Sequence, residues 1–278
     1  MTTRNIIVIS DIHAGCQFGL YPADLKIPLD GGGYYTPSKN QKHLWKCWTY
    51  FWDEWVPEVT KGEPYVLVLN GDAIDGKHHN TNTQITQNIE DQLIIAEHIL
   101  KPAVAKAEKF YFIRGTEIHT GSSGQWEELL AKQLDAVKNK EGKYSRWELW
   151  LSMNGCLVHF SHHVGVTSST AFESTAVFKE LIEAYNHAGR WRKRPPDVVV
   201  RSHRHRAIEI RIPTRQTYGI SCCSPGWQLK TPFTYRLLSG RASTPQVGGY
   251  LIRHGSKDMI YTRFKVWDIE QNREVEKI

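Results

Sequence analysis

Asn5-Ile6-Ile7-Val8-Ile9-Ser10-Asp11-Ile12-His13 is a short apolar run that ends in a carboxylate and, two residues later, an imidazole. The run has no polar alternation, so it reads as a strand buried on both faces, the habit of strands in helix-covered α/β sheets. Ligands of such sheets gather outside the carboxyl ends of the strands. Asp11 and His13 sit at that edge, and in an extended chain their side chains would point the same way. A carboxylate oxygen beside an imidazole nitrogen suits a divalent ion of borderline softness.

Outward from this stretch the pattern recurs. Tyr65 to Asn70 is a second buried strand and runs into Gly71-Asp72-Ala73-Ile74-Asp75, with Lys77, His78 and His79 on the same loop. Phe110 to Arg114 is a third, ending in Gly115-Thr116-Glu117-Ile118-His119. Trp147 to Ser152 and Cys156 to Phe160 flank Asn154-Gly155, a strong hairpin signal, and the second of these strands ends in Ser161-His162-His163. Asp197 to Arg201 leads into Ser202-His203-Arg204-His205. Residues 206–212, 216–222, 247–253 and 259–267 read as further strands, so the C-terminal third is mainly β and the sheets are mixed.

Helices fill the intervals. From Ser38 to about Val56, Leu44, Trp48, Phe51, Trp52 and Trp55 recur at helical spacing, and Pro57 is expected to end the helix. Ile85, Ile89, Leu93 and Ala96 mark another, with a break expected at Pro102. Two more span Gln125 to about Val137 and Thr170 to Ala188, the latter with Gly189 as its expected C-cap. Residues 14–40, rich in Gly and Pro, are too long for an ordinary βα loop and are expected to form a rim or lid over the site. A single α/β domain over residues 1–278, two packed sheets with outer helices, is the economical architecture. The polar residues Gln271 to Lys277 are expected to fray.

In 278 residues the longest apolar runs are strand-sized, and Met1-Thr2-Thr3-Arg4 leads straight into a strand, so neither a membrane span nor a signal peptide is expected. Five cysteines without spacing pattern suggest a reducing, cytoplasmic setting. A net charge of +6 favours polyanions only weakly. Arg190, Arg192, Lys193 and Arg194 serve either as a solvated complement to a helix C-terminus or as contacts to a phosphate backbone. Trp227, in a late loop, either packs in the core or stacks a base.

Five successive strand ends thus carry Asp11/His13, Asp72/Asp75, Glu117/His119, His162/His163 and His203/His205. Three or more carboxylates in one cleft would repel one another and raise their pKa values, a cost that divalent ions remove. Two ions about 3.5–4 Å apart need one shared carboxylate and two or three private ligands each, which is the supply seen here. Such a pair acidifies a bridging water and clamps the oxygens of a phosphoryl centre. The leaving oxygen then needs a proton, which an imidazole beside the ions can give.

Asp-x-His, Gly-Asp-x-x-Asp, a Gly-initiated loop containing His, His at a strand end and His-x-His, in that order over residues 6–205, resemble the calcineurin-like metallophosphoesterase family. The resemblance implies a four-layer α-β-β-α sandwich completed by the C-terminal strands, and two divalent ions: Mn2+ foremost, with Mg2+, Fe, Zn2+ or Ni2+ as alternatives. Asp11, His13 and His205 would bind the first ion, Asp72 would bridge, and His162 and His203 would bind the second, with His163 competing for the role of His162. His119 would contact phosphate and protonate the leaving group, and Asp75 would orient His119 or a ligating His. Where the family has Gly-Asn-His-Asp or Gly-Asn-His-Glu, with Asn a ligand, this chain has Gly115-Thr116-Glu117-Ile118-His119, a form similar to that of phage- or prophage-encoded members. Glu117 would then supply the missing oxygen and favour the harder Mn2+ or Mg2+. Ser202 replaces the usual Gly before His-x-His.

The expected reaction is hydrolysis of a phosphodiester of nucleotide or nucleic-acid type, a metal-bridging hydroxide attacking phosphorus, with His78, His79, His163, Arg204 and Trp227 as substrate contacts. The alternatives are a broad phosphomonoesterase with the same metals and a catalytically weak nucleic-acid-binding protein.

Overall fold

A computed structural model describes residues 4–29, 31–78, 81–165, 169–215, 217–237, 244–255 and 259–269. In chain order its elements begin with β1 (Asn5–Ile9), α1 (Lys39–Tyr50), a π-helical turn (Phe51–Trp55), α2 (Val56–Thr60), β2 (Tyr65–Asn70), α3 (Ile89–Ala105) and β3 (Lys109–Ile113). Next come α4 (Glu117–Thr120), α5 (Gln125–Gln133), β4 (Ser145–Arg146), β5 (Glu148–Met153), β6 (Cys156–Ser161) and α6 (Glu173–Arg190). The chain closes with β7 (Val198–Arg201), β8 (Ile208–Pro213), β9 (Tyr218–Cys223), α7 (Pro232–Leu237), β10 (Gln246–His254) and β11 (Ile260–Asp268).

Two mixed sheets result. One runs β11-β10-β1-β2-β3-β4, with β1 to β4 parallel and β10 antiparallel to β1; the other runs β5-β6-β7-β9-β8, with β6, β7 and β9 parallel. The β5–β6 hairpin turns at Asn154-Gly155, with Met153 opposite Cys156. Alternation along β1 separates two cores. Ile6 and Val8 meet Val158, Phe160, Val198 and Val200 between the sheets, while Ile7 and Ile9 face Leu44, Trp48, Phe51 and Ile99 of the helices. Helix α6 covers part of the outer face of the second sheet through Ala176 and Val177. The layers are therefore α-β-β-α. No helix among the described residues is long and apolar enough to cross a membrane.

Several helix limits depart from expectation: α3 begins at Ile89, beyond Ile85, and α5 ends at Gln133, short of Val137. Pro57 does not end the first helix: it sits in the first turn of α2, immediately after the π turn, whose wider i→i+5 closure relieves the clash of a proline ring with the carbonyl one α-turn back. Pro102 lies inside α3, where burial of Leu93, Ala96, Ile99, Leu100 and Ala103 outweighs one lost hydrogen bond. Helix α6 runs through Gly189 to Arg190. Of residues 14–40, the first half is packed inward, with Leu20, Tyr21 and Ile27 buried, and Gln41 Nε2 donates to the carbonyls of Cys16 and Gly19; residues 31–34 form the exposed tip. Gln271 to Lys277 lie outside the described residues.

Candidate metal centre

The loops after β1 and β2 are knitted by backbone hydrogen bonds from Asp11 to Gly71 (2.9 Å), His13 to Asp72 (3.1 Å) and Ala14 to Ala73 (3.0 Å). The chain is not extended there. Asp11 and His13 have φ of 54° and 48°, and Asp72, His203 and His205 are likewise left-handed at 53°, 72° and 51°. Each non-glycine residue in this region costs on the order of 1 kcal/mol, so the surrounding hydrogen bonds hold a strained constellation. Gly71 and Gly115 make the approach possible: a Cβ on Gly71 would strike the His162 ring, and one on Gly115 would strike the Asp72 carboxylate.

The second sheet brings its strand ends to the same place. Asn70 Nδ2 donates to the Ser161 carbonyl and to Ser202 Oγ (2.7 Å), tying β2 to the ends of β6 and β7. His162 Nδ1 donates to the Asn70 carbonyl (2.7 Å), which leaves Nε2 facing Asp72 Oδ2 at 3.0 Å. Asp72 Oδ2 also lies 4.0 Å from His13 Nε2 and 3.9 Å from His203 Nδ1, a central position between two donor sets. One set is Asp11, His13 and His205; the other joins His162 to Asp72 and Asp11, and, on its open side, to His163 and His203. Within each group the donor atoms all lie within 4.8 Å of one another.

The charges are matched. Burial alone would raise the Asp72 and Asp11 carboxyls, but His162 and His119 hold Asp72 well below its ordinary value, and His205, with Nε2 3.2 Å from Asp11 Oδ1, holds Asp11 at about 2. Conversely, burial opposes protonation of His162, yet Asp72 raises its pKa to about 10. Even so, His13 Nε2 is buried without a hydrogen-bond partner, and Asp11 Oδ1 is buried facing the His205 imidazole at 3.2 Å. An unpartnered imidazole nitrogen and buried carboxylate oxygens, converging beside Asp72, fit divalent ions.

Asp75 is fully buried, and its carboxylate meets four side chains around the candidate donors. Its Oδ1 lies 3.3 Å from His13 Nδ1 and accepts from Gln228 Nε2; its Oδ2 accepts from Gln84 Nε2 (2.8 Å) and lies 3.1 Å from His78 Nε2. Its backbone carbonyl accepts from His119 Nδ1 (2.5 Å). The His119 ring stands edge-on to His13 and His78, at 4.7 Å in each case, and burial lowers its pKa to about 4.

Other expected residues fall elsewhere. Glu117 opens α4 with its side chain exposed and belongs to none of the donor groups among the described residues. It lines an open cleft of about 520 Å³ with Lys77, Thr116, Ile118, Ser122 and Trp126. Trp227 is not a stacking platform: its ring is fully buried, 4.8 Å from Trp48 and 5.7 Å from Phe51, while its backbone N–H donates to the Asp11 carbonyl. His78 is turned inward onto Asp75, His163 is exposed beside His162 and His203, and Arg204 is half-buried near Cys223. His79 lies outside the described residues. Arg194 binds the Gly155 carbonyl and Asp197, which puts the basic run at the start of β6, about 20 Å from His162 at the other end of that strand.

Two kinds of residue escaped the sequence. Glu127 is wholly buried in α5, and its carboxylate accepts from the Ala73 (2.8 Å) and Gly115 (2.7 Å) N–H groups, clamping the loops that carry Asp72 and Thr116. Burial and the nearby Asp72 push it up to about 7. Gln84, Gln92 and Gln228 do similar work around Asp75 and Gly76. Only Glu127's early place on a helix beginning after Gly124 could have hinted at this, and acids are common there.

No protein-family model matches the chain, and no curated protein does. Solved structures of similar arrangement include Vps29 of Entamoeba histolytica in complex with Zn2+, 9% identical over 95% of this chain and 98% of that one, with a TM-score of 0.41. Another is Vps29 of Chaetomium thermophilum, 9% identical over 95% and 97%, TM-score 0.30. The sulfate thiohydrolase SoxB of Thermus thermophilus in complex with glycerol is 11% identical over 96% of this chain and 57% of that one, TM-score 0.43. These likenesses assign no role to any side chain.

Proposed function

We propose that the chain is a dinuclear metal-dependent phosphodiesterase acting on a nucleotide or nucleic-acid type of substrate. The observation that carries this is the position of Asp72 Oδ2, between Asp11/His13/His205 on one side and His162/His203 on the other, with His119 beside the donors and grouped with His13 and Asp75. Asp11, His13 and His205 would hold one ion and His162 and His203 the other, sharing Asp72; mixed oxygen and nitrogen donors suit Mn2+. When bound, such ions supply Lewis acidity toward phosphoryl oxygens and acidify water at phosphorus.

The rest is done by the protein. Asp75 fixes the His13 ring, and the Asn70 carbonyl fixes His162, so neither imidazole must reorganise. His119 spends Nδ1 on the Asp75 carbonyl and keeps Nε2 for the leaving oxygen. With its pKa near 4 in the free protein it is unprotonated at neutral pH, so the negative phosphate must raise it before it can donate. As the oxygen of a water molecule bonds to phosphorus it gives up a proton to solvent, and as the ester P–O bond breaks the departing oxygen takes the proton from His119 Nε2, which returns to its neutral form.

A diester is favoured by the open cleft at Lys77, Ile118, Ser122 and Trp126, which adjoins Thr116 and has room for a second ester substituent. Neither Trp227 nor the basic run supports this choice, since one is buried and the other is remote. The test is turnover with Mn2+: bis-p-nitrophenyl phosphate is expected to be hydrolysed faster than p-nitrophenyl phosphate. The reverse order would favour a monoesterase; tight nucleic-acid binding without turnover of either would favour the non-enzymatic alternative.

A further inference from the structure

We infer that the Thr116 hydroxyl is an oxygen ligand of the second ion, in the role expected of the Glu117 carboxylate. The inference rests on the dinuclear reading above.

Three distances converge on Thr116 Oγ1: 3.1 Å to His203 Nδ1, 3.2 Å to Asp72 Oδ2 and 3.3 Å to His162 Nε2. Metal–ligand bonds of about 2.1 Å place neighbouring donors about 3.0 Å apart around an octahedral ion and about 3.4 Å apart around a tetrahedral one. The 3.0 Å separation of His162 Nε2 and Asp72 Oδ2 belongs to the same set. The hydroxyl thus stands at donor–donor spacing from all three candidate ligands at once. The hydroxyl can donate to Asp72 Oδ2 and accept from the two imidazoles while these carry protons; once the imidazoles are unprotonated its one proton serves a single neighbour, whereas a cation shared by all four atoms satisfies them together.

Thr116 also forgoes its ordinary task. It is the N-cap of α4, where a threonine hydroxyl normally accepts from the first-turn N–H groups, yet it makes no capping bond. Its backbone is pinned instead: Thr116 N–H donates to Asp72 Oδ1 (2.6 Å), and Gly115 N–H donates to buried Glu127. A hard hydroxyl oxygen beside a carboxylate also keeps the preference for Mn2+ or Mg2+ without Glu117.

The test uses calorimetric Mn2+ titration and the absorption spectrum of the Co2+-loaded protein. Wild type and Thr116→Ser are expected to bind two ions per chain. Thr116→Val, which keeps shape and backbone contacts, should keep the first ion and bind the second about tenfold or more weakly. Thr116→Cys loaded with Co2+ should show a thiolate-to-cobalt charge-transfer band that wild type and Glu117→Cys lack, a signature that a residue merely bracing the ligands does not produce. Second-ion affinity within about twofold of wild type in Thr116→Val, or no band in a Thr116→Cys protein holding two Co2+ ions, overturns the inference alone. A wild-type chain that takes up no second ion overturns the dinuclear reading with it.

Discussion

Glu127 is the residue on which two loops of the candidate centre hang, because a single buried carboxylate serves as acceptor for one N–H from each. Truncation by Glu127→Ala leaves both N–H groups buried without partners, at about 1–3 kcal/mol each, partly offset by removing an acid that resists ionisation. The offset has a definite sign. Because its pKa in the fold is about 7, above the ordinary glutamate value, the folded chain binds a proton that the unfolded chain releases between about pH 4.5 and 7, and stability falls across that window. Urea unfolding should therefore show Glu127→Ala less stable than wild type, with a larger deficit at pH 5 than at pH 8; equal stability at both would remove the clamp. Chemistry-bearing residues at strand ends were legible because acids and imidazoles stand out after apolar runs. Glu127 and the buried glutamines were not, since their types are also those of a solvated helix face. The left-handed φ of Asp11 and His13 was equally hidden, for it comes from bonds to a loop sixty residues away.

At the scale of elements, parallel strands β1, β2 and β3 and the hairpin-borne β6 were readable from unbroken apolar runs and from Asn154-Gly155, and all of them bring residues of the candidate centre to their carboxyl ends. The helices were legible as periodic stripes but not in their limits, where tertiary burial carries α3 through Pro102 and a π turn admits Pro57. The same topology separates the basic run from the site. Arg190, Arg192 and Lys193 follow the end of α6 near the start of β6, more than a Debye length from His162 at physiological salt. Replacing those three by serine should leave kcat/KM for a diester within about twofold of wild type at physiological salt, whereas a tenfold loss would mean that substrate reaches that face.

Across the whole molecule, paired acids and imidazoles make stability depend on pH in opposite senses with and without ions. In the metal-free chain the His162 pKa is raised to about 10, so its contribution is fully present below about pH 6.5 and is lost as pH climbs toward 10. Ion binding requires the unprotonated ring and releases that proton, so metal affinity rises over the same range. Thermal unfolding should thus show the Tm of the metal-free protein falling from pH 6.5 to 9.5 and the gap to the Mn2+-loaded protein widening; a narrowing gap would contradict the assignment of His162. The four-layer arrangement could be anticipated from the order of runs and turns, while the depth at which Trp227 and the first half of the 14–40 segment are packed could not, because those contacts form only when the sheets and helices meet.

Anomalous diffraction from Mn2+-loaded crystals locates the ions relative to Asp72. Two peaks are expected about 3.5–4 Å apart on either side of Asp72 Oδ2, one bounded by Asp11, His13 and His205 and the other by His162 and His203. A single peak, or ions bound away from Asp72, would contradict the dinuclear centre.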